Sequence, residues 1–443
     1  MRISNRFLLR QVATAALTAN ALRPVPGMPL SVPTFLSGWL TAELAPQLLA
    51  ATAADAAVHV ARHGVRRRGD AVALAAAGLS IAGLAAVIAT GRGARTEMES
   101  ALESALGPDY RAEGFEARPV PQVPWRQLAF PFRMRRGDVV RVKNLDYASG
   151  GRRFRIDIYH RRDTPANAPV LLQIHGGGWV IGSKDHQGIP LMLEMASRGW
   201  VCAAINYPLS PKAVWPAHLI AVKRAVAWLR ENASTYGGDP DFIAVTGGSA
   251  GGHLAAMLAL TANDPALQPG FEDADTSVQA CVPHYGVYDF AGETGIKATR
   301  LRVESGLSPM VLGRKAQFPR DYLAASPRAH LREDAPPFLV VHGTSDSFIP
   351  VAEAREFVDR LREVSANPVA YAELRGAQHA FDIFPSIRSF RVAHAVADFL
   401  DWARGRQLSA GTASRSGTSA QGRDAGGREP GRGGEDLAEG LDV

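Results

Sequence analysis

Ser249 lies in Gly247-Gly248-Ser249-Ala250-Gly251-Gly252, between an apolar run ending in Val245-Thr246 and a helix-like stretch from His253 to Ala262. A Gly-x-Ser-x-Gly turn from strand to helix holds its middle residue in a sharp, strained conformation, and its small neighbours let the two elements approach closely. The hydroxyl then projects above the sheet edge, beside the Ala250 N–H at a helix N-terminus, where negative charge is favoured. The same pattern also serves as a plain connection, so its chemistry depends on partners. A serine hydroxyl is a weak nucleophile at neutral pH; it needs a base, and the base needs an orienting acid. Asp346, in His342-Gly343-Thr344-Ser345-Asp346, and His379, in Gly376-Ala377-Gln378-His379-Ala380-Phe381, each follow a strand-like run. In a parallel sheet both belong at the carboxyl ends of later strands, where sites form. His342, Glu373 and Asp382 are rivals, although His342 precedes the acid and Glu373 falls within a strand-like run.

A second glycine cluster, His175-Gly176-Gly177-Gly178-Trp179, follows the apolar run ending at Ile174. Its backbone N–H groups can face a developing oxyanion. The spacing fits neither Gly-x-Gly-x-x-Gly nor a loop ending in Gly-Lys-Ser/Thr, which argues against dinucleotide or ATP binding. Cys202 and Cys281 both sit in apolar runs and read as buried free thiols, and no Cys/His spacing suggests zinc. Neither a cofactor nor a metal is expected.

The elements that must position these residues form an alternation. Strand-like runs occur at Val139 to Tyr147, Arg153 to Tyr159, Pro169 to Ile174, Trp200 to Ile205, Phe242 to Val245, Val278 to Pro283, Phe338 to Val341 and Val369 to Glu373. Helix-like stretches occur near Gln187 to Arg198, Ala217 to Tyr236, Ala250 to Ala262, Ala352 to Val364 and Arg388 to Ala403. Strand followed repeatedly by helix predicts an α/β fold, a mostly parallel sheet covered on both faces. Tyr285 to Pro336 interrupts the alternation, so residues 285–336 are expected to supply part of a helical cap. Beyond Gly405 almost no large apolar residue remains, and residues 405–443 read as a disordered tail.

Residues 139 to 403 resemble the hormone-sensitive-lipase-like family of α/β-hydrolase carboxylesterases. The HGGGW stretch, Tyr207-Pro208-Leu209-Ser210-Pro211, Trp215-Pro216-Ala217, Trp228-Leu229-Arg230-Glu231-Asn232 and Gly247 to Gly252 fall in that family's order. The resemblance implies an α/β-hydrolase domain over residues 139–404 and a Ser249, Asp346, His379 triad. It also implies that Gly177, Gly178 and Ala250 donate to the oxyanion. Three features depart from the family's pattern: Gly248 stands where Asp is usual, Asp-Pro-Leu is missing from the acid motif, and Ala380 rather than Gly follows the histidine. A peptidase or amide hydrolase would use the same triad, and a noncatalytic ligand-binding protein on this fold is the alternative of another class.

The N-terminal third is different in kind. The formal net charge of +6 resides there, because residues 1–138 hold 16 Arg against 10 acidic residues while the remainder balances 33 against 33. Residues 1–42 have no acidic side chain and resemble a targeting segment, although Arg10 interrupts the apolar stretch. Phe35 to Ala61 reads as an interfacial or packed helix. Ala71 to Gly91 has no charge over 21 residues, enough to cross a bilayer, although nine are alanine. Residues 1–95 are therefore expected to be a hydrophobic helical region, contacting a membrane through residues 35–91, and residues 96–138 a linker leading to the cap. The whole region also resembles the membrane-associated extension of some bacterial members of the family. Arg66-Arg67-Arg68 would tend to stay cytoplasmic, placing the catalytic domain outside. The expected partner is a small-molecule ester, lipid-like or of short-to-medium acyl chain, not nucleic acid.

Overall fold

The computed structural model describes residues 3–24, 31–111, 123–304 and 307–421. Five helices come first: α1 (Ile3–Leu22), α2 (Ser31–Glu43), α3 (Ala45–His63), α4 (Arg68–Leu106) and the short α5 (Trp125–Ala129). The sheet-bearing part then runs β1 (Val139–Asp146), β2 (Arg155–Arg161), β3 (Ala168–Ile174), α6 (Ile189–Ser197), β4 (Val201–Ile205), α7 (Ala217–Asn232), β5 (Gly238–Gly248), α8 (Ala250–Leu260) and β6 (Ala280–His284). It continues with α9 (Lys297–Glu304), α10 (Leu307–Leu312), α11 (Arg320–Ala324), β7 (Phe338–Gly343), α12 (Val351–Val364), β8 (Val369–Leu374) and α13 (Ile387–Gln421).

The eight strands make one sheet in the order β1-β2-β4-β3-β5-β6-β7-β8. β1 and β2 pair antiparallel, as do β2 and β4, and every other pairing is parallel. This is the mostly parallel, doubly covered sheet expected from the alternation, and the α/β-hydrolase architecture that the family resemblance implies. β3 shows why its sequence is apolar but for the buried Gln173: Val170, Leu172 and Ile174 pack on one face with α7 and α8, while Leu171 packs on the other with α6 and α13. Cys202 and Cys281 are free, buried and in the cores on opposite faces of the sheet. The segment between β6 and β7, containing α9 to α11, lies against this first face, where Phe290 meets Trp179 and the Val311 carbonyl takes the Trp215 N–H at 2.8 Å.

The helices at the two ends of the chain differ from the sequence reading in three ways. Phe35 to Ala61 is not one helix, because α2 and α3 are bent by 80° at the break around Leu44. Pro46 falls in the first turn of α3, where its missing N–H costs nothing, so it starts a new helix. The helix that holds the charge-free stretch does not end with it at Gly91 either. α4 runs through Arg92 and Arg95 to Leu106, about 58 Å at 1.5 Å per residue, and stops at Gly107, whose positive φ of 89° and N–H bond to Glu103 O close the helix. Its buried residues Ala73, Ala77, Ser80, Leu84, Val87, Gly91, Ala94, Met98 and Ala101 recur every three or four positions, forming a single stripe. The first half of that stripe faces α1 and α3, and the second half faces β8 and α13. Lastly, α13 passes through Gly405 to Gln421, so the helix outlasts the composition change, and the tail beyond it lies outside the described residues.

Among the described residues one helix, Arg68–Leu106, is long and apolar enough to cross a membrane, with a mean hydropathy of 2.3 over its most apolar window. Leu79 and Val72 on this helix, Leu9 and Val12 on α1, and Val58 on α3 are exposed.

Candidate active site

Ser249 has φ 59° and ψ −120°, a conformation that L-residues rarely adopt. Two backbone bonds hold it: its N–H reaches His284 O at 3.0 Å, and its carbonyl accepts the His253 N–H at 3.0 Å. The glycines around it are there for contact. A Cβ on Gly247 would lie 2.5 Å from Gly251 O, and one on Gly251 would lie 2.1 Å from Ile174 O, so no larger residue fits either place. Ala250 opens α8, which leaves its N–H among those with no partner within the helix.

The HGGG loop passes directly against this turn. A Cβ on Gly176 would come within 2.5 Å of Gly248 O and 3.1 Å of Ser249 Cβ. Gly177 and Gly178 have φ of 117° and 59°, and a Cβ on Gly178 would meet nothing within 4 Å. His175 stays behind the loop, stacked on Tyr207 at 4.3 Å with Nδ1 2.8 Å from Gly176 O. Burial lowers its pKa to about 4, so it is a neutral structural imidazole.

Asp346 and His379 meet at the ends of β7 and β8, with His379 Nδ1 2.7 Å from Asp346 Oδ2. The other oxygen, Oδ1, accepts the N–H groups of Phe348 and Ile349 at 2.8 Å each. Burial opposes ionisation of Asp346, but the charge of His379 and the hydrogen bonds from both histidines outweigh it and hold the carboxyl well below the usual carboxylate range. The rival His342 lies fully buried behind Asp346, 3.2 Å from Oδ2 and 3.0 Å from Ile349 O. Glu373 points elsewhere, paired with Arg355 and Tyr371. Among the described residues no hydrogen bond joins Ser249 Oγ to the His379 ring. Tyr285 lies beside both segments: its ring is 4.7 Å from that of His379, and its OH is 2.6 Å from where a Cβ on Gly248, next to Ser249, would be.

Two neighbours of the site escaped the sequence reading. Phe35, on α2, sets its ring 5.9 Å from that of His379 and 4.7 Å from Phe348, and Trp39 extends the aromatic layer to Phe384. α2 is pinned there by a buried ion pair, Arg388 Nε to Glu43 Oε1 at 3.0 Å, with Ser386 Oγ donating to Glu43 Oε2 at 2.6 Å. Nothing local in the sequence signals a contact across more than 300 positions; only the oddity of a carboxylate in an apolar stretch marks Glu43. The second neighbour is the group formed by His284, Tyr285 and Asp382, of which only Asp382 had been a candidate.

Over 409 residues the chain is 44% identical to the probable carboxylic ester hydrolase LipM of Mycobacterium tuberculosis, covering 89% of this chain and 92% of LipM. The chain belongs to the esterase/lipase family of α/β-hydrolases. The aligned stretch exceeds everything from β1 to the C-terminus, so the shared sequence includes much of the N-terminal helices. This esterase is also 44% identical to esterase LipQ of the same organism over 329 residues, which is 71% of this chain and 76% of LipQ. The BD-FAE family matches residues 156–361. Esterase B of Lactobacillus Rhamnosis shares the fold, with a TM-score of 0.53 at 17% identity over 73% of this chain and 99% of that one. Carboxylic ester hydrolysis is the activity of this family, and the chain is an enzyme of that kind. The family shown is the broader one; the narrower hormone-sensitive-lipase-like kinship rests on the motifs alone.

Proposed function

We propose that Ser249 is the nucleophile, His379 its base and Asp346 the orienting acid of a serine carboxylesterase or lipase. His379 removes the Ser249 proton as Oγ attacks the ester carbonyl, and the N–H groups of Gly177, Gly178 and Ala250 stabilise the tetrahedral oxyanion. Collapse releases the alcohol with the proton returned by His379, and water then cleaves the acyl-enzyme by the same steps. The observation that carries this reading is the positive-φ turn at Ser249, pressed against Gly176 while the Asp346–His379 pair occupies neighbouring strand ends. A fluorophosphonate probe should label Ser249 in the purified protein. Ser249→Ala should lower kcat by a factor on the order of a million with the melting temperature unchanged; appreciable turnover by the folded variant would sink the assignment.

The substrate is a lipid-like ester or one of short-to-medium acyl chain, met at a membrane surface. The aromatic layer of Phe35, Trp39, Phe348 and Phe384 beside His379 supports an apolar acyl group. Phe35→Ala should raise KM for an octanoate ester roughly tenfold, the worth of about 1–2 kcal/mol of lost apolar contact, and leave an acetate ester unaffected; equal effects on both would refute an acyl contact. The exposed apolar side chains of α3 and α4 support membrane contact through residues 35–91, and Arg66-Arg67-Arg68 would keep that end cytoplasmic and the catalytic domain outside. Flotation of the full-length protein with lipid vesicles tests the contact, and protease access in intact cells tests the side.

A further inference from the structure

The space that a side chain at Gly248 would occupy is filled. A Cβ there would lie 2.6 Å from the Tyr285 hydroxyl and 2.8 Å from the ring atoms beside it. That hydroxyl donates to Asp382 Oδ1, and Asp382 Oδ2 lies 2.7 Å from His284 Nδ1. Both residues that Asp382 holds also touch the reacting groups: His284 gives its carbonyl to the Ser249 N–H, and the Tyr285 ring lies against that of His379. Asp382 itself is three residues past His379, on the same loop.

We propose that Asp382 is a positioning residue for ester hydrolysis, fastening the loop that carries His379 to the end of β6 that anchors Ser249, and supplying from another loop the carboxylate that the nucleophile turn lacks at Gly248. The inference rests on the assignment of Ser249 and His379 above. Ser249 and His379 leave strands that are not adjacent, β5 and β8, and their reactive atoms must be held to a fraction of an ångström. Asp346 sets the tilt of the imidazole from the β7 side but makes no reference to Ser249. Asp382 makes that reference through one charged group. Two strained residues lie within the fastened segments, Tyr285 at φ 37° and Ala380 at φ 60°, and such conformations persist only where the surroundings over-determine them. His284 is buried and its ring borders a small cavity shared with Gln173, Gln187 and Thr246; Nδ1 lies 2.7 Å from Asp382 Oδ2, but neither ring nitrogen has a hydrogen-bond geometry to a protein partner, so His284 meets Asp382 through charge and proximity and Tyr285 supplies the hydrogen bond. Burial pushes the Asp382 carboxyl up, yet the nearby charge of His284 and the hydrogen bond from Tyr285 hold it below the usual range, so the group is an anion beside both neighbours.

The test uses the full-length protein and p-nitrophenyl acetate. Asp382→Ala should lower kcat on the order of a hundredfold while KM moves less than about twofold, the pattern of a misplaced reacting group rather than a lost substrate contact. Fluorophosphonate labelling of Ser249 should slow by the same factor, and Asp382→Glu should recover part of the rate. Adding Tyr285→Phe to Asp382→Ala should cost little further, because both remove one contact. If the alanine variant does not fold, Asp382→Asn, of equal shape, carries the same readouts. A kcat for folded Asp382→Asn and Asp382→Ala within about threefold of the parent, or a fall fully additive with Tyr285→Phe, overturns the proposal. Parent protein that is folded but neither labels at Ser249 nor hydrolyses the ester overturns the triad assignment instead.

Discussion

The carboxyl edge of the sheet and the four N-terminal helices are built to different tolerances. At the edge, backbone meets backbone: Gly247 and Gly251 exclude any Cβ, Gly176 is pressed on the Ser249 turn, and Ser249, Tyr285 and Ala380 hold positive φ. Along α4 the buried stripe is mostly small apolar residues; a Cβ on Gly78 or Gly93 would meet nothing within 4 Å, and one on Gly83, the tight exception at 2.5 Å from Thr18 Cγ2, would meet side chains of α1 rather than backbone. Chemistry needs the first kind of construction, because oxyanion donors and nucleophile must keep one geometry without reorganising. Contact with a lipid surface needs only apolar area, which many arrangements supply. The two regions are joined at few polar points, chiefly the Glu43–Arg388 pair, whose arginine also binds Arg375 O at 2.9 Å, just before the His379 loop.

Three substitutions sharpen this contrast. Gly251→Ala should have the largest effect: the new Cβ forces the turn from Ile174 O, costing about 1–3 kcal/mol of stability and a hundredfold or so in kcat. A variant with near-parent kcat would show that the edge is looser than its contacts imply. Glu43→Ala leaves the Arg388 guanidinium buried without its carboxylate and should destabilise by about 3–5 kcal/mol, read by denaturant unfolding; a loss under about 1 kcal/mol would mean that the helices and the sheet are held together elsewhere. Gly78→Ala should do least, and in the opposite direction. With open space around it and better helix propensity, the variant should gain about 0.5–1 kcal/mol with unchanged kcat, and a loss of activity would break the distinction between the regions.

The α/β alternation was legible because each strand of a doubly covered sheet must be apolar along its length, as in Pro169 to Ile174, while helices such as α12 show their buried residues at three- and four-residue spacing. The boundaries in the N-terminal region were less legible. Arg92 and Arg95 looked like the end of a membrane-length segment, yet a helix ends where its hydrogen bonds are capped, and Gly107 rather than a charge does that for α4. The change of composition at Gly405 misled in the same way, since α13 continues past it. The departure at Ala380 also has its reason in the fold: the position has φ 60°, the region glycine occupies most cheaply, so alanine there is strained rather than simply a variant.

The sequence by itself determined the order of the elements and the short motifs at Gly176 to Gly178, Ser249, Asp346 and His379, because a strained turn or a tight glycine loop is local and leaves its mark in adjacent residues. Tertiary structure alone decided that Phe35 lies over His379, that Glu43 pairs with Arg388, and that Asp382 reaches His284 and Tyr285. Those contacts join residues about a hundred to more than three hundred positions apart, and no local preference selects them. They exist because packing α4 along β8 and α2 over the segment that follows it, and folding the loop after β8 back over β6, bring distant groups into a dry space where polar atoms need partners.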